Sequence, residues 1–445
     1  MKIQDFPDRH FVLMNDIGES LTKPIDNFTG SIEGDQGNRY RINLDIRKSS
    51  ENNIGLFAEL GAGAVVRNIE TTGVVRGNEN VGGIAGNISA NAEISDCANS
   101  ASVSGSSKTG GIYGGSASSA NASVLTSLEN RGSITGSMWT GGICGLCYSP
   151  LTASINYGSV SAANIYCGGI CGQQFTYTAR CVNKGDISGT TYVGGISGLC
   201  NSSYCPIADC YNTGNIAGSS YVGGITGGVT RVWSGYDSLR IANVYNTGSV
   251  TESSTGNFNP VYSGSVSEAQ VYCAYYLSEN AVDDGKASTT PCNVAELRAA
   301  AFDASMRATS SVSPYITLGN SYSVTDKCIL PVLSDLSDSD VWLMDNIYES
   351  YPGEMSYFVV AGNAEDSIGE YSLAEYGVQI SDGEHDFHTY KALHERNAEG
   401  WFVIQLFDEN KGEEYHIRAY GKYSDGSDEI TLTGVAKEII GGKLR

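Results

Sequence analysis

The sequence is poor in proline, in charged residues and in long hydrophobic runs. Of 445 residues only 9 are proline, and Lys, Arg, Asp and Glu together make up 17%, below the roughly one quarter typical of globular chains. Basic residues are the scarcer sign, 27 against 49 acidic, which gives a net charge of −22. Phosphate backbones are bound by clustered Lys and Arg, so nucleic acid is excluded as a partner. No stretch has the roughly eighteen apolar residues of a transmembrane helix, so we predict no membrane span.

Glycine, by contrast, is abundant and periodic. The chain has 55 glycines, of which 37 fall between Gly55 and Gly264. A Gly-Gly-Ile-x-Gly motif recurs there at intervals of 28, 31, 27, 26 and 29 residues, after a degenerate copy at 53–58. A second signature, Cys/Val-x-Asn-x-Gly-x-Val/Ile, separates the pairs. The six Gly-Gly pairs begin at Gly82, Gly110, Gly141, Gly168, Gly194 and Gly223.

These repeats predict an all-β chain with a parallel β-solenoid. Short Val- and Ile-rich runs between Gly, Asn and Ser are typical of strands. A unit of about 28 residues cannot bury its own apolar face, so neighbouring units must stack. With coils about 4.8 Å apart, seven copies would form a rod on the order of 35 Å long. We expect Asn-x-Gly at a corner, because both residues tolerate positive φ and stacked asparagines can hydrogen-bond.

The last quarter of the chain differs in charge and in strand pattern. Residues 335–445 carry 23 acidic and 8 basic side chains, a net of −15, which leaves −7 for residues 1–334. Longer alternating strands follow over about a hundred residues, the length of a sandwich domain. The clearest of these predicted strands are 357–360, 376–380, 401–406 and 415–420. The sequence therefore predicts a C-terminal β-sandwich.

Four segments follow from these patterns. We assign 1–54 to an opening coil or cap, 55–270 to the repeat solenoid, 271–340 to a C-terminal cap and connector, and 341–445 to the sandwich. Within the connector, Asn293 and Glu296 form a capping-box pattern before an apolar face. This pattern predicts a short helix over 293–308.

The motifs carry a resemblance to a known group. The Val-Gly-Gly-Ile-x-Gly copies spaced by Asn-x-Gly resemble the GLUG-motif repeats of bacterial surface and secreted proteins, over roughly residues 10–335. Members of that group occur as adhesin-like modules and as appendages of exported enzymes. The resemblance therefore implies one of these two roles for this chain. The strand 415–420 with the turn 424–426 resembles fibronectin type III-like domains, with Tyr415 placed like their corner tyrosine. Their usual Leu-x-Pro is absent, so immunoglobulin-like is the broader description.

One aromatic residue per coil is the candidate binding feature. Two residues before four consecutive Gly-Gly pairs stand Trp139, Tyr166, Tyr192 and Tyr221. Strand alternation sends the residues that follow them, Thr140, Cys167, Val193 and Val222, into the interior, so the rings should face outward. Such a stripe could bind sugar rings or a protein partner. Alternatively, the rings form a ladder that only stabilises coil stacking.

Cysteines and histidines are the candidate metal ligands of the sequence. Nine of the 12 cysteines lie between Cys97 and Cys210, and several recur at equivalent repeat positions: Cys144 with Cys171, and Cys97 with Cys181 and Cys210. Cys144 and Cys147 have the spacing of half a zinc site, but no second pair or nearby histidine completes it. We therefore favour apolar cysteines inside the coils over metal or disulfide roles. His385, His388 and His394 are read as part of a solvated loop rather than a metal site, and no cofactor is expected.

Acidic residues are too sparse in the repeats to suggest catalysis. Between Val81 and Gln270 they are Glu93, Asp96, Glu129, Asp186, Asp209, Asp237, Glu252 and Glu268. Asp96 and Asp209 occupy matching positions, but three coils intervene between them, so a catalytic pair is hard to build. We predict that the protein is not an enzyme.

The prediction is an extracellular or cell-surface bacterial protein, an adhesin-like rod that contacts a glycan or a protein. The segment Met1–Asp5 lacks the charged, then apolar, start of a signal peptide. An export signal was therefore removed or the protein reaches its destination another way. The alternatives are a phage tail or fibre component and an atypical β-helix carbohydrate-active enzyme.

Overall fold

The computed structural model describes most of the first 297 residues and the strands of the C-terminal part. The described residues are 2–116, 123–201, 205–228, 240–254, 258–263, 270–278, 280, 289–294, 296–297, 322–323, 332–333, 341–343, 348–350, 357–369, 371–381, 387–392, 396, 400–407, 414–434, 436–440 and 443–444. They divide into two compact units, one containing Met1–Cys292 and the other Asn293–Asp303 with Asn320–Arg445.

The first unit is built from short strands and two 3-10 turns, at Lys2–Asp5 and Asp35–Gly37. Its strands up to the third Gly-Gly pair are β1 (His10–Leu13), β2 (Ile17–Leu21), β3 (Ser31–Gly34), β4 (Tyr40–Arg47), β5 (Phe57–Leu60), β6 (Val65–Arg67), β7 (Ile69–Arg76), β8 (Glu79–Gly82), β9 (Ala85–Ile88), β10 (Glu93–Ser95), β11 (Ala98–Asn99), β12 (Ser102–Ser104), β13 (Ser107–Gly110), β14 (Tyr113–Ser116), β15 (Val124–Thr126), β16 (Glu129–Asn130) and β17 (Ile134–Gly141).

The same pattern continues through the remaining coils. These strands are β18 (Cys144–Cys147), β19 (Leu151–Thr152), β20 (Ile155–Asn156), β21 (Val160–Gly168), β22 (Cys171–Gln174), β23 (Thr178–Ala179), β24 (Val182–Asn183), β25 (Ile187–Ser188), β26 (Thr191–Gly194), β27 (Ser197–Cys200), β28 (Ile207–Asn212), β29 (Ile216–Gly218), β30 (Ser220–Gly223), β31 (Arg240–Asn246), β32 (Val250–Glu252), β33 (Phe258–Asn259), β34 (Gln270–Leu277) and β35 (Thr290–Cys292).

The predicted parallel β-solenoid is confirmed. Strands of successive coils pair in parallel and in register, as where Ile94 pairs with Leu125 and Leu125 with Leu151. The coils repeat about every 28 residues over about eight turns. One face of the solenoid is a separate six-stranded parallel sheet, in the order β27-β22-β18-β14-β9-β5. Each coil therefore hydrogen-bonds to the coils before and after it.

The isoleucine of each Gly-Gly-Ile motif is part of the core. All six of these side chains are fully buried: Ile84, Ile112, Ile143, Ile170, Ile196 and Ile225. Burying one such side chain contributes about 1.5–3 kcal/mol. Near the beginning of the unit, the rings of Phe28 and Phe57 pack at 4.6 Å. The repeat thus supplies one apolar anchor per coil.

A column of buried asparagines runs beside these anchors, and we call it the asparagine ladder. The side-chain Nδ2 of every member but the last donates to the Oδ1 of the next asparagine, at 2.6–2.8 Å. The same Nδ2 donates to the carbonyl oxygen two residues further along its own coil, at 2.8–2.9 Å. Stacking of the asparagines, expected from the sequence, is confirmed. The members are Asn99, Asn130, Asn156, Asn183, Asn212 and Asn246.

The expectation that Asn-x-Gly serves to allow positive φ is wrong. Neither the ladder asparagines nor the glycines that follow them have positive φ. The glycine is needed for close stacking instead, because a Cβ at Gly185 would lie 2.1 Å from the carbonyl oxygen of Gly158. Likewise, a Cβ on Gly142, the second glycine of its pair, would lie 2.3 Å from Cγ of Asn156. Both motifs therefore make room for backbone and amide contacts inside the coil.

Positive φ occurs at two other corners of each coil, and mostly at residues other than glycine. One corner column runs through Asn68, Asp96, Ser127, Ala153, Arg180, Asp209, Asn243 and Cys273, with φ between 48° and 57°. The other runs through Asn53, Asn80, Lys108, Trp139, Tyr166, Tyr192 and Tyr221, with φ between 50° and 62°. Left-handed backbone costs a non-glycine residue about 1–2 kcal/mol. The stacked coils must supply that energy at each corner.

The strands described in the second unit pair with one another only in the antiparallel sense, in agreement with the predicted β-sandwich. These strands are β36 (Tyr322–Ser323), β37 (Val332–Leu333), β38 (Val341–Leu343), β39 (Tyr348–Ser350), β40 (Tyr357–Ala364), β41 (Ser367–Ile368), β42 (Tyr371–Ser381), β43 (His388–Lys391), β44 (Trp401–Phe407), β45 (Glu414–Ser424), β46 (Glu429–Thr433), β47 (Lys437–Ile440) and β48 (Lys443–Leu444). In one sheet β40 pairs with β38, β39 and β44, while in the other β42 pairs with β41, β43 and β45, and β45 also pairs with β46 and β47. The ring of Tyr376 from one sheet packs at 5.3 Å against that of Phe402 from the other.

The predicted helix 293–308 and the predicted corner tyrosine lie only partly within the described residues. The capping box is present, since the Asn293 N–H donates to the Glu296 carboxylate at 2.9 Å and the Glu296 N–H donates to Asn293 Oδ1 at 2.8 Å. Most of the predicted helix 293–308 lies outside the described residues, as does the side chain of Tyr415. A different tyrosine, Tyr423, donates its hydroxyl to the carbonyl oxygen of Glu365 at 3.1 Å.

Candidate functional site

The four predicted aromatic residues lie in one column on the solenoid, and we call them the aromatic ladder. They belong to β17, β21, β26 and β30. The residues that follow them, Thr140, Cys167, Val193 and Val222, pair in register and are fully buried, as alternation predicted. The rings themselves are half-buried. The sequence therefore located both the column and its outward direction.

The rings stack on one another from coil to coil. Centroid distances are 6.0 Å between Trp139 and Tyr166, 5.4 Å between Tyr166 and Tyr192, and 4.7 Å between Tyr192 and Tyr221. The ring planes of the last pair are nearly parallel, at 10° to each other. Such offset ring contacts stabilise a structure by about 0.5–1.5 kcal/mol beyond the buried area. The interpretation as a stabilising ladder is thus supported by the geometry.

Stacking also decides which ring atoms a ligand could touch. The faces of the two middle rings are covered by their neighbours, so edges and hydroxyl groups remain. Within the part of the chain that the structure describes, the hydroxyls of Tyr166, Tyr192 and Tyr221 make no hydrogen bond. Burial and the neighbouring tyrosines raise the pKa of Tyr192, which keeps its hydroxyl protonated. The column can therefore both donate and accept hydrogen bonds along its length.

The ladder is anchored on its flanks. Trp139 Nε1 donates to Oε1 of Gln173 in the next coil. The ring of Tyr192 lies against Gly228, where a Cβ would come within 2.9 Å of the ring carbon Cδ1. Earlier coils carry other residues at this corner: Asn80 Nδ2 donates to Asn53 Oδ1 at 2.7 Å, and Lys108 pairs with Glu79 at 2.6 Å. The same backbone corner thus tolerates amides, a cation or rings.

A second cluster lies inside the coils, and we call it the thiol cluster: Cys144, Cys147 and Cys171. Their sulfur atoms lie within 4.8 Å of one another, and all three residues are buried. Cys144 and Cys171 pair in register between β18 and β22, as their equivalent repeat positions predicted. The hydroxyl of Tyr113 donates to Cys147 Sγ at 3.0 Å. Sequence reasoning found no ligand to complete the Cys144–Cys147 spacing, and the structure brings Cys171 and Tyr113 to it.

The protonation of the cluster is uneven. Hydrogen bonds from Cys144, Cys171 and Tyr113 lower the pKa of the Cys147 thiol, against the opposing effect of burial. Burial raises the pKa of Cys144, of Cys171 and of Tyr113. Elsewhere, burial raises the pKa of Cys97, Cys167 and Cys200 to about 12. Cys147 is therefore the most acidic thiol of the group.

The other described cysteines are mostly small core residues. Eleven cysteines are described and none of them is in a disulfide; all but Cys273 are buried. Cys97 Sγ contacts the Val66 carbonyl oxygen at 3.5 Å, and Cys167 Sγ that of Ser188 at 3.4 Å. The expected burial is confirmed, and the thiol cluster is the group of three metal-ligand side chains found among the described residues.

Several carboxylates of the solenoid lie in ion pairs with basic residues of the same or another coil. Arg67 binds Glu93 through two hydrogen bonds, at 2.5 and 2.7 Å. Arg39 binds Glu129 at 3.1 Å, and Glu129 also accepts a bond from Arg131. The hydrogen bond from Arg67 lowers the pKa of Glu93. These groups are held as charged partners along the coil stack.

The structure describes only part of the predicted histidine loop. His388 is exposed in β43, and His385 and His394 lie outside the described residues, as do Asp237 and Glu268 of the acidic set. No helix in the described residues has the length and apolar character to cross a bilayer.

Comparison with known proteins adds no relative. Scans of family profiles, curated proteins and solved structures returned no match for this chain.

Proposed function

We propose that this protein is a non-enzymatic, adhesin-like bacterial surface or secreted protein that binds an extracellular glycan along the aromatic ladder. The observation that carries the proposal is the row of tyrosine hydroxyls, one per coil, at ring separations of 5.4 and 4.7 Å. A polysaccharide chain lying along the coil axis would meet a repeated hydroxyl and ring edge at each step. The resemblance to GLUG-motif repeats supports the same role.

The residues beside the ladder favour a neutral, hydroxyl-rich ligand. Met138, Ile165, Thr191 and Ser220 form the neighbouring column and carry no charge. A charged partner would find no matching ion pair in this column, whereas sugar hydroxyls can exchange hydrogen bonds with tyrosine, threonine and serine. The pairing of Glu93 and Glu129 with arginines supports a binding role rather than acid–base catalysis, which needs carboxylates free to exchange protons.

A glycan array followed by calorimetric titration with each bound oligosaccharide tests the proposal. The triple variant Y166F/Y192F/Y221F keeps the stacked rings but removes the hydroxyls. Three lost hydrogen bonds of about 0.5–1.5 kcal/mol each predict at least a roughly tenfold weaker affinity. The quadruple alanine variant of the ladder should lose binding altogether.

The matched control is the stacked pair Tyr148 and Phe175, whose rings lie 4.2 Å apart in neighbouring coils. Y148A/F175A removes a comparable half-buried ring pair outside the ladder and should leave affinity unchanged. The proposal fails if the quadruple variant, folded by circular dichroism, binds every glycan as the parent does.

A further inference from the structure

The thiol cluster brings three sulfur ligands together from two successive coils. Cys144 and Cys147 are the two ends of β18, and Cys171 begins β22, which is paired with it. With all three sulfurs within 4.8 Å of one another, the arrangement is already close to that of a bound ion. At a metal–sulfur bond of about 2.3 Å, three sulfurs around one ion are about 4 Å apart. Closing the cluster requires shifts of less than about 1 Å.

The surroundings are closed to solvent and offer few oxygen ligands. Cys144 and Cys171 are 0% exposed and Cys147 is 1% exposed. The one oxygen with a described contact to a cluster sulfur from another coil is the hydroxyl of Tyr113, which is itself fully buried. Cys147 Sγ also lies 2.9 Å from the Ser149 carbonyl oxygen. A site of this composition disfavours calcium and magnesium, which require several oxygen ligands.

We propose that Cys144, Cys147 and Cys171 bind one soft metal ion, and that Cu(I) is the ion they match best. Thiolate ligands select Cu(I) and Zn(II) among biological metals. Structural zinc is almost always four-coordinate with cysteine or histidine ligands, and the cluster offers three such ligands. Cu(I) accepts three sulfurs in a plane. Each thiol that binds as a thiolate releases one proton to solvent, and no electron is transferred.

The bound ion would join β18 to β22 and so cross-link two neighbouring coils. Among the described residues no other three cysteines come together in this way; Cys200, for example, contacts Thr226 Oγ1 at 3.7 Å. The ion would add a metal cross-link at one point in a coil stack that is otherwise joined by backbone and asparagine hydrogen bonds.

Because the thiols are buried, the metal should be loaded while the chain folds. Reduced, full-length protein is refolded without oxygen in the presence of Cu(I) supplied as its bicinchoninate complex, with Zn(II) and Ca(II) in parallel. We expect one copper retained per chain after desalting, and three sulfur neighbours by X-ray absorption. Retention of zinc but not copper, or no retention above that of a C144A/C147A/C171A variant, overturns the assignment.

Single variants separate the cluster from general cysteine chemistry. C147A and C171A should each lower copper retention at least fivefold, whereas C200A, which removes a buried thiol from the same sheet, should retain it fully. Folding of each variant is checked by circular dichroism. The X-ray absorption of the parent provides a readout that needs no variant, and fewer than three sulfur neighbours there contradicts the proposal. A disulfide within the cluster in freshly purified protein, found by mass spectrometry after alkylation, also contradicts it.

Discussion

The solenoid carries two ladders that repeat once per coil, one inside and one at its surface. The asparagine ladder keeps the same residue in six coils, from Asn99 to Asn246. The corner column that contains the aromatic ladder changes from Asn53 through Lys108 to Tyr221. Inside the solenoid, each amide is hydrogen-bonded to its own coil and to neighbouring coils, and it is closely packed on all sides. At the corner, the backbone is fixed but the side chain faces solvent.

This difference separates what determines the fold from what can determine function. An interior position with two or three hydrogen bonds admits only side chains that can continue them: besides the six asparagines, this column contains Thr71, whose hydroxyl donates to Asn99 Oδ1 at 2.9 Å. A corner whose backbone is held by the coil stack admits many residue types, so its chemistry can vary without loss of the fold.

The largest effect is expected from Asn183→Ala in the middle of the asparagine ladder. The change removes bonds to Gly185 and Asn212 and the bond received from Asn156, at 2.8, 2.6 and 2.7 Å. Three hydrogen bonds of about 1 kcal/mol each predict a loss of about 3 kcal/mol in the free energy of unfolding. Urea unfolding followed by circular dichroism measures it. Asn164→Ala, at an exposed position of β21, is the control, and equal losses in the two variants would refute an interior role for the amide.

The glycine beside the ladder should be nearly as sensitive. Gly185→Ala places a Cβ 2.1 Å from a backbone oxygen, which cannot rotate away. Overpacking of this kind costs about 1–3 kcal/mol, and a lower urea midpoint would report it. Gly18→Ala, where a Cβ would meet nothing within 4 Å, should leave the midpoint unchanged. A tolerated Gly185→Ala would mean that neighbouring coils can separate locally.

The sequence predicted these positions better than it predicted the reasons for them. Period and alternation were enough to place Val193 inside and Tyr192 outside. They could not reveal the left-handed corners, because residues such as Ala153 and Trp139 carry no local signal for positive φ. The thiol cluster was missed for a related reason. Regular alternation puts Cys144 and Cys147 on opposite faces of a strand, yet both are buried in the folded coil.

At the surface ladder, Tyr192→Ala should have an intermediate effect. It removes ring contacts to Tyr166 and Tyr221 at 5.4 and 4.7 Å, which predicts a loss of about 1–2 kcal/mol. Tyr192→Phe keeps the ring and should change the free energy of unfolding by less than about 0.5 kcal/mol. A loss as large as that of Asn183→Ala would abolish the distinction between the two ladders.

The cost of the corners themselves can be measured at Ala153, where φ is 48°. Ala153→Gly removes the clash of Cβ with the backbone in the left-handed region, and we expect a gain of up to about 1 kcal/mol. Ala162→Gly, a buried position of β21 without positive φ, should instead lose about 0.5–1 kcal/mol. Opposite signs in thermal unfolding would confirm that corner strain is balanced by coil stacking, whereas equal losses would contradict it.

The smallest effect is expected at the surface ion pair of Arg67 and Glu93, whose side chains are 44% and 20% exposed. Arg67→Gln should cost about 0.3–1 kcal/mol at neutral pH, because a pair so open to solvent is weak even with two hydrogen bonds. The hydrogen bond from Arg67 lowers the pKa of Glu93 below its ordinary 4.5. Its contribution is therefore fully present above pH 4.5 and disappears as the pH falls through the lowered folded value. In urea unfolding, the parent and Arg67→Gln should therefore have the same stability at that acidic pH. The control is Arg9→Gln, from a pair 71% exposed on both sides, which should match the parent at every pH. A difference at Arg67 that persists into acid would assign the effect to packing of the arginine stem rather than to charge.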